Sequence, residues 1–404
     1  MSDILSFGRD RPPRRKRPWQ LAAAAAGLAA VLAAALIWYL PGVRSHGAQA
    51  TPTAAPSLVT PSQLPTRPAR MTGQPLPRDA GLSLLLGGHR PAWLRVTAGQ
   101  AEPIRGLPRS GNGCQFIRIA GGWAAQPFPV EAGCDGCAPG PLPVYYLADG
   151  SRVASRIGAA DFAAPAAAPG SLWLVSYQRG ADMRIAAGQA QEVSVTGAAL
   201  GSRLRLPAGF GIDQGTRAGL LLVAEAAGSG PVRYELWDPG TGRVSSSFVN
   251  LIAASPEEIA WVSGCAAVCH VRVLDLAGGR AAEIPLPGRS TAYGGAFSPD
   301  GRFLALLVTA RIARTGVAAA IRLMVATVAS GRMAAVPGST VGSGIGVDFG
   351  WQAGSHRLIA DVPVGVPGQY EWQIAVWRPG DAQLSVALAR APGGSWPVID
   401  QGPY

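Results

Sequence analysis

The chain has 404 residues, of which 48% are hydrophobic and only 15% charged, so there is apolar material for a large core and wholesale disorder is excluded. Its 53 glycines and 35 prolines suit a fold of many short strands and turns. The net charge of +11 includes a cluster in residues 1–19, where six basic side chains (Arg9, Arg11, Arg14, Arg15, Lys16, Arg17) face two acids, but the remainder is spread thinly and forms no basic stripe with interleaved aromatics, which argues against a nucleic-acid partner.

Residues 1–19 read as a basic cytoplasmic tail and residues 20–40 as a transmembrane helix. Leu21–Leu40 carries no charge, and at about 1.5 Å rise per residue it spans roughly 30 Å, the thickness of the hydrocarbon layer. Trp19 stands at one edge and Trp38-Tyr39 at the other, as an aromatic belt requires. The basic cluster keeps the N-terminus in the cytoplasm, which puts the rest of the chain outside as a single-pass membrane protein. A signal peptide cleaved after Ala50 is the competing reading, although the apolar run exceeds the usual signal-peptide core. Residues 41–79 are proline-rich, with Pro52, Pro56, Pro61 and Pro65 among Thr, Ser, Ala and Gln. Such a segment favours extended polyproline II and serves as a spacer.

From residue 80 to residue 404 one unit recurs: an apolar strand, a glycine-containing turn and a second strand. It appears at Trp93–Gly99, Val144–Gly150, Tyr234–Gly240, Val271–Gly278, Leu323–Gly331 and Ile374–Gly380, with a weak copy from Val193 to Gly201. The turn glycines at 99, 150, 201, 240, 278, 331 and 380 are spaced like four-stranded propeller blades, and there are seven of them. Each hairpin forms the outer half of a blade. The more buried strands expected before them include Leu172–Ser176, Leu220–Glu225, Ile259–Ser263, Phe303–Val308 and Arg357–Asp361. Leu82–Leu86 supplies only one such strand to the first blade, and a spare apolar strand follows the last hairpin at Ser395–Asp400. The C-terminal strand is therefore expected to complete blade 1 and close the ring, which removes its exposed edges. The fold class expected is all-β: a seven-bladed propeller of four-stranded antiparallel blades, preceded by the helix and the linker.

The turn Ser298-Pro299-Asp300-Gly301 carries a family resemblance. Pro299 pre-sets φ, Gly301 takes the left-handed conformation without penalty, and a buried strand follows. This motif resembles the Ser-Pro-Asp-Gly repeat of TolB-like, WD40-related propellers, and the resemblance extends over roughly Leu82–Asp400 by blade spacing. Ser255-Pro256-Glu257-Glu258 looks like a decayed copy one blade earlier. The resemblance implies an extracytoplasmic binding propeller. Some propellers of the superfamily are fused to peptidases.

Outside the cytoplasm the five cysteines are expected to form disulfides. Cys265 and Cys269 flank a three-residue loop between two strands, a separation that a disulfide accepts. Cys134-Asp-Gly-Cys137 lies in a Gly/Pro-rich loop, not at the helix N-terminus a redox motif needs. Cys114 is expected to bridge to Cys134 or Cys137, which leaves one cysteine over. A zinc site built from these three with His89 or His270 lacks a second spaced pair, so neither metal nor cofactor is expected. No nucleophile elbow, His-Glu-x-x-His helix or phosphate-binding loop occurs. Asp238, Asp275 and Asp300 read as turn residues, and Trp173, Trp261 and Trp351 as core.

The resulting expectation is a monomeric binding module, not an enzyme. It captures an extracytoplasmic protein, peptide or envelope component at one mouth of the ring. The loops near Phe128–Pro143, Thr309–Ala320 and Val362–Glu371 should share that mouth, with Arg311 and Arg314 making it basic. The alternatives are a propeller hydrolase or lyase acting on glycan or lactone, which requires acids or histidines clustered at the channel, and a structural spacer with an undecorated channel.

Overall fold

The computed structural model describes residues 70–108, 113–127, 140–180, 185–225, 231–310, 320–342, 346–365, 371–391 and 395–399. These residues form seven sheets, each built on four antiparallel strands, that follow one another around a ring. Blade 1 is Ser83–Gly88, Ala92–Arg95 and Gln100–Pro103, with Ser395–Val398 as its innermost strand. Blade 2 runs Cys114–Ile119, Gly122–Pro127, Leu142–Ala148, Ser155–Ala160, and blade 3 runs Phe162–Pro165, Ser171–Arg179, Ile185–Ser194, Leu204–Leu206. Blade 4 is Phe210–Thr216, Gly219–Ala224, Arg233–Asp238, Arg243–Val249, and blade 5 is Leu251–Ala254, Glu258–Ser263, His270–Asp275, Ala281–Pro285. Blade 6 is Ser290–Phe297, Phe303–Ala310, Ala320–Thr327, Arg332–Ala335, and blade 7 is Asp348–Trp351, Leu358–Val364, Glu371–Trp377, Leu384–Ala389. The repeating hairpins seen in the sequence are the third and fourth strands of every blade. The apolar runs before them are the second strands.

Seven apolar clusters hold the ring, and each joins two neighbouring blades. Ile259 and Leu221 meet between blades 4 and 5, and Leu304 and Ile284 between blades 5 and 6. Ile374 and Leu94 meet between blades 7 and 1. The ring closes as the sequence leads one to expect. Leu85 pairs with Val398, Leu86 with Pro397 and Gly87 with Trp396. Gly87 is needed there, because a Cβ would sit 2.8 Å from the Trp396 indole nitrogen. Trp173 and Trp351 are core, whereas Trp261 is half-buried and packs on Phe248 with ring centroids 5.0 Å apart.

Part of the stretch read as linker belongs to the propeller. Gly73–Pro75 adds a fifth strand to blade 7, parallel to Leu384–Val386. Gln373, itself buried, clamps Met71, two residues before that strand: the Met71 amide donates to Oε1 at 2.8 Å and Nε2 donates to the Met71 carbonyl at 2.9 Å. No helix among the described residues is long and apolar enough to cross a membrane, and residues 20–40 lie outside them.

The Ser298–Gly301 turn joins the first and second strands of blade 6. The Ser298 hydroxyl accepts from the Phe303 amide at 2.9 Å and donates to Asp300 at 2.7 Å, while Gly301 sits at φ 68°. Its shorter counterpart joins the same two strands of blade 5. There the Ser255 amide already pairs with the Glu258 carbonyl at 2.8 Å, so no left-handed residue is required.

Candidate channel site

Antiparallel order puts every first-to-second-strand turn at one face of the ring, called here the turn face. The second-to-third connections lie at the opposite loop face. Between the two faces runs a cavity of about 2420 Å³ lined by the innermost strands. The chain as a whole is basic, yet among the described residues this lining carries eight carboxylates against four guanidiniums.

Most of these charges are committed. Arg118 pairs with Asp149, Arg179 with Glu225 at 3.4 Å, and Arg217 with Glu257 at 2.7 Å. Asp161 accepts from the Tyr177 amide, Glu225 from the Ile185 amide, and Asp275 from the Ala277 amide. Asp300 accepts from the Ser298 hydroxyl and the Arg302 amide. These bonds outweigh its partial burial and hold its pKa below the usual carboxylate range. Asp238, outside the channel, is likewise a turn residue, lowered by the Thr241 hydroxyl and then the Gly240 amide.

Two lining carboxyls differ. Glu258, at the turn face, has a shielded Oε2 with no hydrogen-bond partner. Burial, then the charges of Asp275, Asp300 and Glu257, push its pKa up to about 7. Asp213 lies on the innermost strand of blade 4, where the register passes from Ile212↔Leu222 to Gln214↔Leu221 and leaves Asp213 as the extra residue of a bulge. Its Oδ2 is shielded and has no hydrogen-bond partner, and desolvation alone raises its pKa to about 7. Two glycines seat this strand. A Cβ on Gly211 would lie 2.6 Å from the Tyr177 hydroxyl, and one on Gly215 would lie 2.7 Å from the Ala167 backbone nitrogen. Sequence reasoning missed Asp213. A polar residue inside Phe-Gly-Ile-Asp-Gln-Gly-Thr was the available signal, hidden because that run has neither a clean alternation nor a continuous apolar face.

The Cys265–Cys269 disulfide is present at the loop face of blade 5, with Cα atoms 4.0 Å apart. Cys114 departs from expectation. It is a free, buried thiol at the start of the innermost strand of blade 2, and desolvation pushes its pKa up to about 12. Cys134, Cys137, Arg311 and Arg314 lie outside the described residues. Among those residues no histidine lines the cavity. His270 Nδ1 lies 3.5 Å from Glu283, and His356 Nδ1 lies 3.7 Å from Asp300. No group of three or more metal-ligating side chains occurs among the described residues.

No protein-family model matches the chain. No curated protein matches its sequence. Among solved structures it is similar to TolB from Acinetobacter baumannii, at 14% identity over 66% of this chain and 67% of that one, with a TM-score of 0.36. It is also similar to an acylaminoacyl peptidase from Pyrococcus horikoshii (10% identity, 79% of this chain, 54% of that one, TM-score 0.46). A third is a 6-phosphogluconolactonase-like protein from Bacteroides uniformis (11% identity, 78% and 99%, TM-score 0.44). This chain spans about half the length of the peptidase. The seven-bladed architecture therefore rests on the chain's own strand pairing.

Proposed function

We propose that this chain is an extracytoplasmic binding propeller, tethered to a membrane through residues 20–40, that captures a protein, peptide or envelope component at its loop face. The closed ring is the observation that supports this reading. Pairing of Ser395–Val398 with blade 1 fixes all seven blades relative to one another, so connections from non-adjacent blades are held as one surface. The strand ends at Pro127 and Leu142, Ala310 and Ala320, and Val364 and Glu371 all open toward that face. Arg311 and Arg314 would give the surface a basic sector suited to an acidic partner.

The test is photo-crosslinking in intact cells from positions 311 and 314, together with protease added outside. Capture of one discrete partner, reduced by Arg311→Ala with Arg314→Ala, is expected, with protease releasing the propeller. Protection of the entire chain overturns the orientation. Absence of any captured species overturns loop-face binding.

One observation favours a second reading, a hydrolase or lyase acting on glycan or lactone. Asp213 and Glu258 are lining carboxyls with pKa about 7, the property a general acid needs near neutral pH. Turnover of a lactone or glycoside that is lost in both Asp213→Asn and Glu258→Gln would favour catalysis over capture.

A further inference from the structure

We propose that the channel holds a subsite for an organic cation, a primary ammonium or guanidinium group, with the Asp213 carboxylate as its counter-ion. The subsite rests on neither the tether nor loop-face capture, so the fate of one reading does not decide the other.

Three observations converge on Asp213. The first is the sign of the cavity. Carboxylates outnumber guanidiniums two to one in its lining, and Arg118, Arg179 and Arg217 are already paired with acids. The second is the bulge. Bulges re-aim side chains toward functional sites. The innermost strands of blades 4, 5 and 6 each carry one, with Asp213, Ile252 and Tyr293 as the extra residues, and only blade 4 places an acid there. The third is the missing partner. Asp213 lines the cavity while its Oδ2 is shut off from solvent without a hydrogen bond. Asp213 as a whole is only partly buried, so with no donor on Oδ2 its ionised carboxyl is under-compensated, and a ligand's N–H donors would stabilise it from the side open to the channel.

The cations packed around blade 4's innermost strand are already engaged: Arg233 lies over its Phe210 ring, 5.4 Å from the centroid, and pairs with Glu235 at 3.3 Å. Asp161 accepts from the Tyr177 amide, Arg179 is paired with Glu225, and Glu192 accepts from the Ser171 hydroxyl. The Tyr177 phenol is raised to about 12, chiefly by burial and then by Asp161. The Tyr234 phenol is also raised to about 12, by burial and then by the charge of Asp213 itself. Both phenols are therefore neutral when Asp213 titrates. An arriving cation is attracted to the ionised carboxyl and displaces its proton to solvent; no covalent step is involved.

Isothermal titration of the full chain in detergent tests the idea with two probes. Agmatine represents a free small cation, and acetyl-Gly-Arg-Gly-amide represents a peptide side chain. With Asp213 near 7, its ionised fraction rises from roughly 0.09 at pH 6 to roughly 0.91 at pH 8, so affinity should rise about tenfold over that range. At pH 7, titrations in buffers of different ionisation enthalpy should show release of about half a proton per cation bound. Asp213→Asn should weaken binding at least tenfold and abolish the pH dependence, whereas Glu258→Gln should leave both intact. Binding of agmatine alone assigns the subsite to free cations, and equal binding of the peptide assigns it to a peptide side chain. The proposal is overturned if neither probe binds, if binding releases no proton, or if Glu258→Gln rather than Asp213→Asn removes it. Should Asp213→Asn fail to fold, proton release that persists in Glu258→Gln, which removes the other lining carboxyl raised to about 7, still assigns the titrating group to Asp213.

Discussion

Asp361 shows how one residue sets a pH response. It lies on the second strand of blade 7, paired across from Asp348, so the two acid side chains share a face of the sheet. It is 1% exposed, its carboxyl oxygens lack a well-formed hydrogen bond, and the Asp348 backbone offsets its burial only in part. Burial, and then the charge of Asp348, raise its pKa well above the ordinary carboxylate value, so the folded protein holds this proton more tightly than the unfolded chain does. Stability should therefore fall as pH climbs from about 4 toward the folded pKa. Asp361→Asn keeps the shape and cannot ionise. Its melting temperature at pH 8 should exceed the parent's by a few degrees, and the gain should shrink toward pH 4. Identical pH profiles for the two proteins would show that Asp361 is not the buried acid described. The Cys265–Cys269 bridge makes a second test at this scale. Cys265→Ser should cost about 2 kcal/mol in denaturant unfolding, the chain-entropy value for so short a loop, while the propeller still forms. A loss near zero would mean that the loop is ordered without its crosslink.

At the scale of the element, the Ser298–Gly301 turn couples a tight corner to the next blade. Gly301 needs a left-handed backbone, and a Cβ there would lie 2.9 Å from the Glu258 Oε2 of blade 5. Gly301→Ala should cost about 1–2 kcal/mol from the backbone alone. An unchanged denaturation midpoint would contradict the turn geometry. Such turns, and the hairpins at Tyr234–Gly240 and Ile374–Gly380, are legible in sequence because Pro, Asp and Gly each have a defined role in them. The second strands are legible too, since Leu304–Val308 is buried on both faces and reads as a continuous apolar run. The innermost strands are not. Cys114–Ile119 and Phe162–Pro165 turn one face to the channel, and they contact neighbouring blades through Ile117 and Ile119 in the first and Ala163 in the second. Their pattern is neither alternating nor wholly apolar. Of the lining acids, Asp213 and Asp348 sit on such strands, and Asp213 was hidden further because a bulge breaks the two-residue period that would reveal it.

For the whole molecule, the ring depends on its last described strand. Deleting 395–404 would strip the inner partner from Ser83–Gly88, whose Leu84, Leu85 and Leu86 are all buried. The truncated protein should lose the parent's discrete peak in size-exclusion chromatography and aggregate through the uncovered edge. If it keeps that peak with an unchanged melting temperature, the six remaining complete blades hold the ring without the clasp. At the opposite end of the chain, Gly73–Pro75 covers the outer edge of blade 7, so both ends of the described chain are fastened at blades 7 and 1.

That arrangement sets a clock on folding. The Gln373 clamp on Met71 spans 302 positions of sequence, and the pairing of Leu85 with Val398 spans a similar stretch. Neither can form until nearly the whole domain has been made. Synthesis at about 5–20 residues per second takes roughly 15–60 s to cover such a distance. For that time the nascent propeller is an open arc with two apolar blade faces uncovered. Its yield should depend less on its final stability than on what shields those faces while the last residues are awaited.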